Sequence, residues 1–252
     1  MTYFSHTAAA DRYAAARPYF HPLVVDLIRR LCQLETCDAA LDVGCGTGQS
    51  TVPLAELAQQ VVGVDISPAM LARAMAHPRV QYLQAPAEAL PLEASSFDLL
   101  TVGRAFHWLD RGRFLREAHR VLRPAGWLVL YNDWFCGHMN ENARFEEWFR
   151  ASYLQRYPSP LRNSQPLTDD ELGAKGFGPM MGEKFSHEIA MSPESLADYL
   201  LTQSNVIAAV ELGQESADDV RNWLLNQLAT ILPASTGTFA FAGELQACRK
   251  RA

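Results

Sequence analysis

The chain has 252 residues, 48% of them hydrophobic, and 22 Lys and Arg against 28 Asp and Glu give a formal net charge of −6. That apolar content suffices for one substantial core, and the acidic balance argues against a nucleic-acid partner, whose phosphates require a basic surface. No apolar run approaches the roughly 18 residues of a membrane span, no basic-then-apolar leader opens the chain, and the five cysteines, Cys32, Cys37, Cys45, Cys136 and Cys248, are scattered without a C-x-x-C pair, so neither a metal site nor a disulfide framework is expected.

Residues 1 to 20 are aromatic and basic, with Tyr3, Phe4, Tyr13, Arg17, Tyr19 and Phe20, and Pro18 stops a helix from running through. From His21 to Leu34 the apolar residues Leu23, Val24, Leu27, Ile28 and Leu31 mark one face of a helix. Ala39 to Val43 is a short apolar run ending in Gly44, Gly46 and Gly48, and Ser50 to Ala58 can follow as a helix, so the segment reads strand, tight turn, helix. Glycine there has free access to positive φ and no Cβ to block a ligand. A following helix would present its unpaired N–H groups to the same spot.

This is a nucleotide-type pocket, and the spacing narrows the nucleotide. A dinucleotide fingerprint wants Gly-x-Gly-x-x-Gly, whereas here the third glycine comes one residue early and Gln49 takes the expected place. No Lys follows Gly48, so the P-loop pattern fails as well. Neither Lys nor Arg occurs from Ala39 to Leu71, while Asp42 and Asp65 end two apolar runs. Such a loop suits a cationic ligand without phosphates.

Val61 to Val64 reads as a strand ending at Asp65, and Ser67-Pro68 starts a helix on which Met70, Leu71 and Met75 are spaced for packing. Val80 to Gln84 and Phe97 to Val102 are the third and fourth strands, and Asp110 to Leu122 is a helix with Phe114, Leu115, Ala118 and Val121 on one stripe. Arg123-Pro124-Ala125-Gly126 breaks it before a fifth strand, Trp127 to Tyr131. Asp133 to Pro179 is rich in aromatics, read as part of a lid or else as side chains buried against the core. Lys184 to Ile189 partly alternates as a sixth strand. Two helices follow, opened by Ser192-Pro193 and by Ser216 with Asp219. Thr238 to Cys248 reads as the last strand and Arg249-Lys250-Arg251 as a solvated tail.

Leu41-Asp42-Val43-Gly44-Cys45-Gly46-Thr47-Gly48 followed by Val64-Asp65-Ile66-Ser67 resembles motif I and its acidic successor in class I S-adenosylmethionine-dependent methyltransferases. Three further segments agree in order and spacing: Ala87-Glu88-Ala89-Leu90-Pro91, Ser96-Phe97-Asp98-Leu99-Leu100, and Leu122-Arg123-Pro124-Ala125-Gly126-Trp127-Leu128. The matches occupy the central third of the chain. The resemblance implies an α/β fold: a Rossmann-like seven-stranded sheet, mostly parallel with the last strand antiparallel, flanked by helices and carrying a helical substrate cap. It implies one methyltransferase domain over 1–252, with an N-terminal flap and helix (1–36), a cofactor-binding core (37–133) and cap insertions plus C-terminal strands (134–252). The implied cofactor is S-adenosyl-L-methionine, with S-adenosyl-L-homocysteine as product.

The same resemblance distributes roles. Asp42, Gly44, Cys45, Gly46 and Gly48 form the cofactor loop. Asp65 accepts the ribose hydroxyls, or else merely caps the helix after it. Ile66, Met70, Ala87 and Glu88 border the adenine, and Arg104 and Ala105 lie in the loop nearest the transferable methyl. Tyr13 and Arg17 match a flap pattern, and Arg17 offers a planar fork either to a carboxylate or to a surface ion pair. His107 is the candidate catalytic residue, as a general base or as a wall of the cofactor site. Positioning alone can supply most of the acceleration, because sulfonium is already an activated leaving group. The expected reaction is methyl transfer to a small-molecule acceptor, first of all an oxygen of a carboxylate or hydroxyl, by a cytosolic monomer or homodimer without nucleic-acid or membrane partners. The alternatives are RNA or protein methylation and a non-catalytic cofactor-binding protein.

Overall fold

The computed structural model describes residues 6–160, 165–232 and 236–251; Tyr3 and Phe4 lie outside them. In chain order the elements are α1 (Thr7–Ala16), α2 (His21–Cys32), β1 (Cys37–Val43), a 3-10 segment (Val52–Glu56), β2 (Ala58–Asp65), α3 (Pro68–Leu71), β3 (Val80–Gln84), β4 (Phe97–Gly103), a 3-10 turn (Phe106–Trp108) and α4 (Arg111–Val121). There follow β5 (Leu122–Met139), α5 (Arg144–Trp148), a π-helical turn (Phe149–Tyr153), α6 (Leu154–Arg156), α7 (Asp169–Gly173), β6 (Met181–Met191), α8 (Pro193–Leu200), α9 (Ser204–Glu211), α10 (Ala217–Ile231) and β7 (Gly237–Arg249).

The strands form one seven-stranded sheet in the order β3-β2-β1-β4-β5-β7-β6. β1 to β5 pair in parallel, and β7 runs against β5: Lys250 N–H donates to Gly126 O near one end and Asn140 N–H to Thr238 O at the other. Strand order reverses between β1 and β4. In open α/β sheets this reversal leaves a crevice outside the carboxyl ends of the two central strands, where ligands bind. Period-two alternation sends Leu41, Val43, Leu100, Val102, Leu128 and Leu130 to one hydrophobic cluster and Ala40, Leu99, Val129 and Tyr131 to another with α2. Both faces are therefore buried, as parallel strands require.

The chain divides into two compact units. One comprises Met1–Pro18, Asp133–Leu161 and Ser186–Ala242, the other Tyr19–Asn132, Arg162–Phe185 and Gly243–Ala252. The first has its own aromatic core, in which Phe135 lies 5.2 Å from Phe149 and from Phe241 and 5.6 Å from Tyr199, ring centre to ring centre. Phe145, Tyr153 and Tyr157 are buried there, which favours the core reading for most of these aromatics; Trp134 is exposed. The second unit holds the glycine loop and the parallel strands.

Several expectations need correction. The helix over Ser50 to Ala58 is only a 3-10 segment, Val52–Glu56, with Pro53 in its first turn and its length cut off where β2 begins at Ala58. α3 stops at Leu71, so Met75 falls beyond it and is exposed instead of packed. The fifth strand extends from Leu122 to Met139 and takes in Trp134 and Phe135, with the Arg123–Gly126 turn absorbed as a register shift and Ala125 at φ 61. A third helix, α9, lies between the two expected before β7. The basic C-terminus is no solvated tail: Lys250 Nζ donates to His119 O at 2.7 Å and Leu122 O at 2.8 Å, closing the end of α4.

Candidate active site

All three loop glycines adopt left-handed backbone, with φ of 75 at Gly44, 54 at Gly46 and 77 at Gly48. The surroundings forbid side chains too. A Cβ on Gly44 would stand 2.5 Å from Ala105 Cβ, one on Gly46 3.1 Å from the Met70 methyl, and one on Gly48 would collide with the Tyr82 hydroxyl. The turn is tied by Gly44 and Cys45 N–H donating to Val64 O and by Gly48 N–H donating to Cys45 O.

Two carboxylates organise this turn from different sides. Asp42 is completely buried and pairs in register with Gly63 on one side and Thr101 on the other. It accepts from Ser50 Oγ (2.6 Å), Thr51 Oγ1 (2.7 Å) and Thr101 Oγ1 (2.9 Å). Burial raises its carboxyl above the usual range, against the three hydroxyls that lower it. Both its oxygens are committed to the chain, so Asp42 holds the loop from beneath. Asp65 lies at the rim: Oδ2 accepts from Gly46 N–H and Oδ1 from Ser67 N–H, both at 2.8 Å. Its carboxyl is likewise raised, chiefly by burial. Helix α3 is capped by Ser67 Oγ, which accepts from Met70 N–H, so Asp65 does more than cap.

Cys45 is buried, and desolvation together with Asp42 and Asp65 pushes its thiol far up. It is no nucleophile. Met70 and Ala87 are buried and Ile66 is exposed beside them in sequence. Glu88 Oε1 accepts from Asp110 N–H at 2.9 Å, joining the loop after β3 to the loop after β4. In that second loop Arg104 has φ 54, its N–H donates to Tyr131 O, and its guanidinium lies 5.6 Å from the centre of the Phe20 ring. Ala105 abuts Gly44, and His107 packs against Trp108 with ring centres 4.6 Å apart.

Asp42, Gly44, Cys45, Gly46, Gly48, Asp65, Ile66, Met70, Ala87, Glu88, Arg104, Ala105 and His107 all belong to the second unit, where Gly44 meets Ala105, Gly46 meets Asp65 and Met70, and Glu88 is tied to the loop after β4. Tyr13 and Arg17 belong to the first unit. There the Arg17 guanidinium lies 4.8 Å from the Tyr13 ring centre and 5.5 Å from that of Tyr199, and Nη2 donates to Thr202 O at 2.7 Å. Sequence reasoning missed Tyr82 and the hydroxyls of Ser50, Thr51 and Thr101. Tyr82 follows from the parallel register Gly63↔Tyr82, which sets its ring where a Gly63 side chain would stand.

Residues 41–130 match the family described as "Methyltransferase domain". A methyltransferase of Mycobacterium tuberculosis is 29% identical over 223 residues, 87% of this chain and 85% of that protein. A type II methyltransferase of Anaeromyxobacter dehalogenans superposes with a TM-score of 0.69 at 25% identity, over 93% of this chain and 98% of that one. Residues 41–130 are a class I S-adenosylmethionine-dependent methyltransferase domain. The fold extends to a Haemonchus contortus phosphoethanolamine N-methyltransferase, solved with phosphomonomethylethanolamine and S-adenosylhomocysteine, at a TM-score of 0.59 and 20% identity over 99% of this chain and 58% of that one.

The residues of the methyltransferase loop fit S-adenosylmethionine. Thr47 Oγ1 and Gln49 Oε1 are buried without a hydrogen-bond partner, next to a glycine cradle that side chains would fill. Asp42 and Asp65 beside the turn, and the lack of any Lys or Arg between Ala39 and Leu71, suit a sulfonium. The cofactor supplies a methyl group activated by positive sulfur; the chain supplies position and charge.

Proposed function

We propose that this methyltransferase acts on a small molecule, first of all at an oxygen of a carboxylate or hydroxyl, by in-line displacement. The observation that carries the small-molecule reading is electrostatic: a net charge of −6 and a cofactor loop without Lys or Arg make a poor surface for RNA. The oxygen reading draws on the family resemblance, whose small-molecule branch includes carboxylic-acid methyltransferases. In this reading Gly44, Cys45, Gly46 and Gly48 cradle the cofactor, Asp65 takes the ribose hydroxyls, Ile66, Met70, Ala87 and Glu88 flank the adenine, and Arg104, Ala105 and His107 line the methyl side. Acceleration comes from holding nucleophile, carbon and sulfur in line.

The test is calorimetric titration with S-adenosylmethionine, S-adenosylhomocysteine and NAD, followed by a turnover screen of small carboxylic acids and phenols against transfer RNA and a histone mixture. Turnover of a small oxygen acceptor supports the reading. Methylation of RNA or protein alone overturns it.

A further inference from the structure

His21 takes no part in the roles assigned so far, yet it is the buried base of the second unit at the sheet's carboxyl rim. It is the first residue of α2 and only 3% exposed. Its ring stacks on Phe20 with centres 4.5 Å apart, stands edge-on to Tyr131 at 6.4 Å and tilts against Tyr19 at 5.7 Å. Tyr131 is register partner of Gly103 and accepts from Arg104 N–H, and Ala105 touches the cofactor loop at Gly44. His21 is thus linked to the glycine cradle through Tyr131, Arg104 and Ala105.

The imidazole is held neutral from three sides. Burial is the largest influence, Arg104 adds its charge, and together they bring the pKa to about 3. The α2 N-terminus also disfavours a cation, since its dipole is positive there. Tyr131 and Tyr19 are the other titratable groups facing the ring. The Tyr19 hydroxyl is itself raised by burial and by Glu56, so it supplies no negative charge near neutrality. Nδ1 is buried with no hydrogen-bond partner. An unmet buried polar atom costs about 1–3 kcal/mol, and such a cost kept beside a functional loop marks a position that a ligand completes.

We propose that His21 Nδ1 is a hydrogen-bond acceptor for the methyl acceptor, receiving an O–H or N–H from it and orienting the attacking lone pair. This rests on the methyl-transfer reading. Within the oxygen reading it narrows the acceptor to a hydroxyl, since an ionised carboxylate has no proton to donate.

The test is nitrogen NMR on the 15N-histidine protein saturated with S-adenosylhomocysteine, with the His21 signal assigned as the one lost in His21→Gln or His21→Asn. The proposal expects Nδ1 to be the unprotonated ring nitrogen, unchanged from neutral pH down to pH 5. It also expects a saturable shift on adding phenol, and none on adding anisole, which matches phenol in shape but lacks the donor. A protonated Nδ1, equal responses to both probes, or no response to phenol, benzyl alcohol and benzylamine would overturn it. Failure of S-adenosylhomocysteine to bind would instead overturn the cofactor assignment.

Discussion

Replacing Asp65 separates its hold on the glycine turn from the ribose-accepting role proposed for it. In the free protein it accepts from Gly46 and Ser67 N–H, both at 2.8 Å, so Asp65→Ala removes two charge-assisted bonds from the loop and the helix start. Hydrogen bonds to charged groups contribute about 1.5–3 kcal/mol each. Gly46 and Ser67 are buried, so their vacated amides lose their partner without compensation and the fold should lose about 3–6 kcal/mol. Loss of the ribose acceptor should separately weaken S-adenosylhomocysteine by about 1.5–3 kcal/mol, roughly 10- to 150-fold in Kd. Asp65→Asn keeps one acceptor oxygen and should fall between. The assay pairs calorimetric titration with urea unfolding, repeated down a pH series. Burial raises the Asp65 carboxyl in the free protein, and its ionised form is the one that accepts hydroxyls. Affinity should therefore be flat at high pH and fall as pH drops through that raised value. Stability lost with unchanged Kd in both variants would confine Asp65 to holding the loop.

Gly44→Ala puts a Cβ 2.5 Å from Ala105 Cβ at φ 75; left-handed strain and overpacking together should cost about 2–5 kcal/mol and abolish cofactor binding, checked by thermal unfolding and calorimetry. Asp42→Ala removes the carboxylate that the buried Thr51 and Thr101 hydroxyls donate to, about 1–3 kcal/mol each. Asp42→Asn, around which those hydroxyls can reorient, should be far milder in urea melts; equal losses would refute the loop-holding role. His107→Ala should leave the Kd for S-adenosylhomocysteine within about twofold while lowering turnover by about 10²-fold if His107 acts on the acceptor, and a parallel loss of both would make it a wall of the cofactor site.

The glycine turn, the two carboxylates and β3 were legible in the sequence because each depends on local signals: glycine spacing, an acid ending an apolar run, and a strand bounded by turns. Val80 to Gln84 is the strand on both readings. What escaped depends on partners distant in the chain. Tyr82 reveals itself only opposite Gly63, and Lys250 only where α4 ends, 131 and 128 residues upstream at His119 and Leu122. Arg123-Pro124-Ala125-Gly126 carries a turn's composition, so it concealed a strand that continues through it with a shifted register. The roughly helical pattern after Gly48 failed because a hydrophobic period does not show that the next strand, β2, already begins at Ala58.

The place of β7 in the sheet bears on how the chain is made. Strand order puts it between β5 and β6, so β6, although synthesised earlier, has no neighbour to join until residues 237 to 249 exist. During synthesis the sheet must wait with β5 as an open edge, and an open edge of paired-backbone length invites other chains. A stop codon or a protease cut shortly before Gly237 should therefore yield aggregates in place of a slightly shortened enzyme, and release of the last strand from the ribosome should be the step at which the nascent chain first becomes soluble.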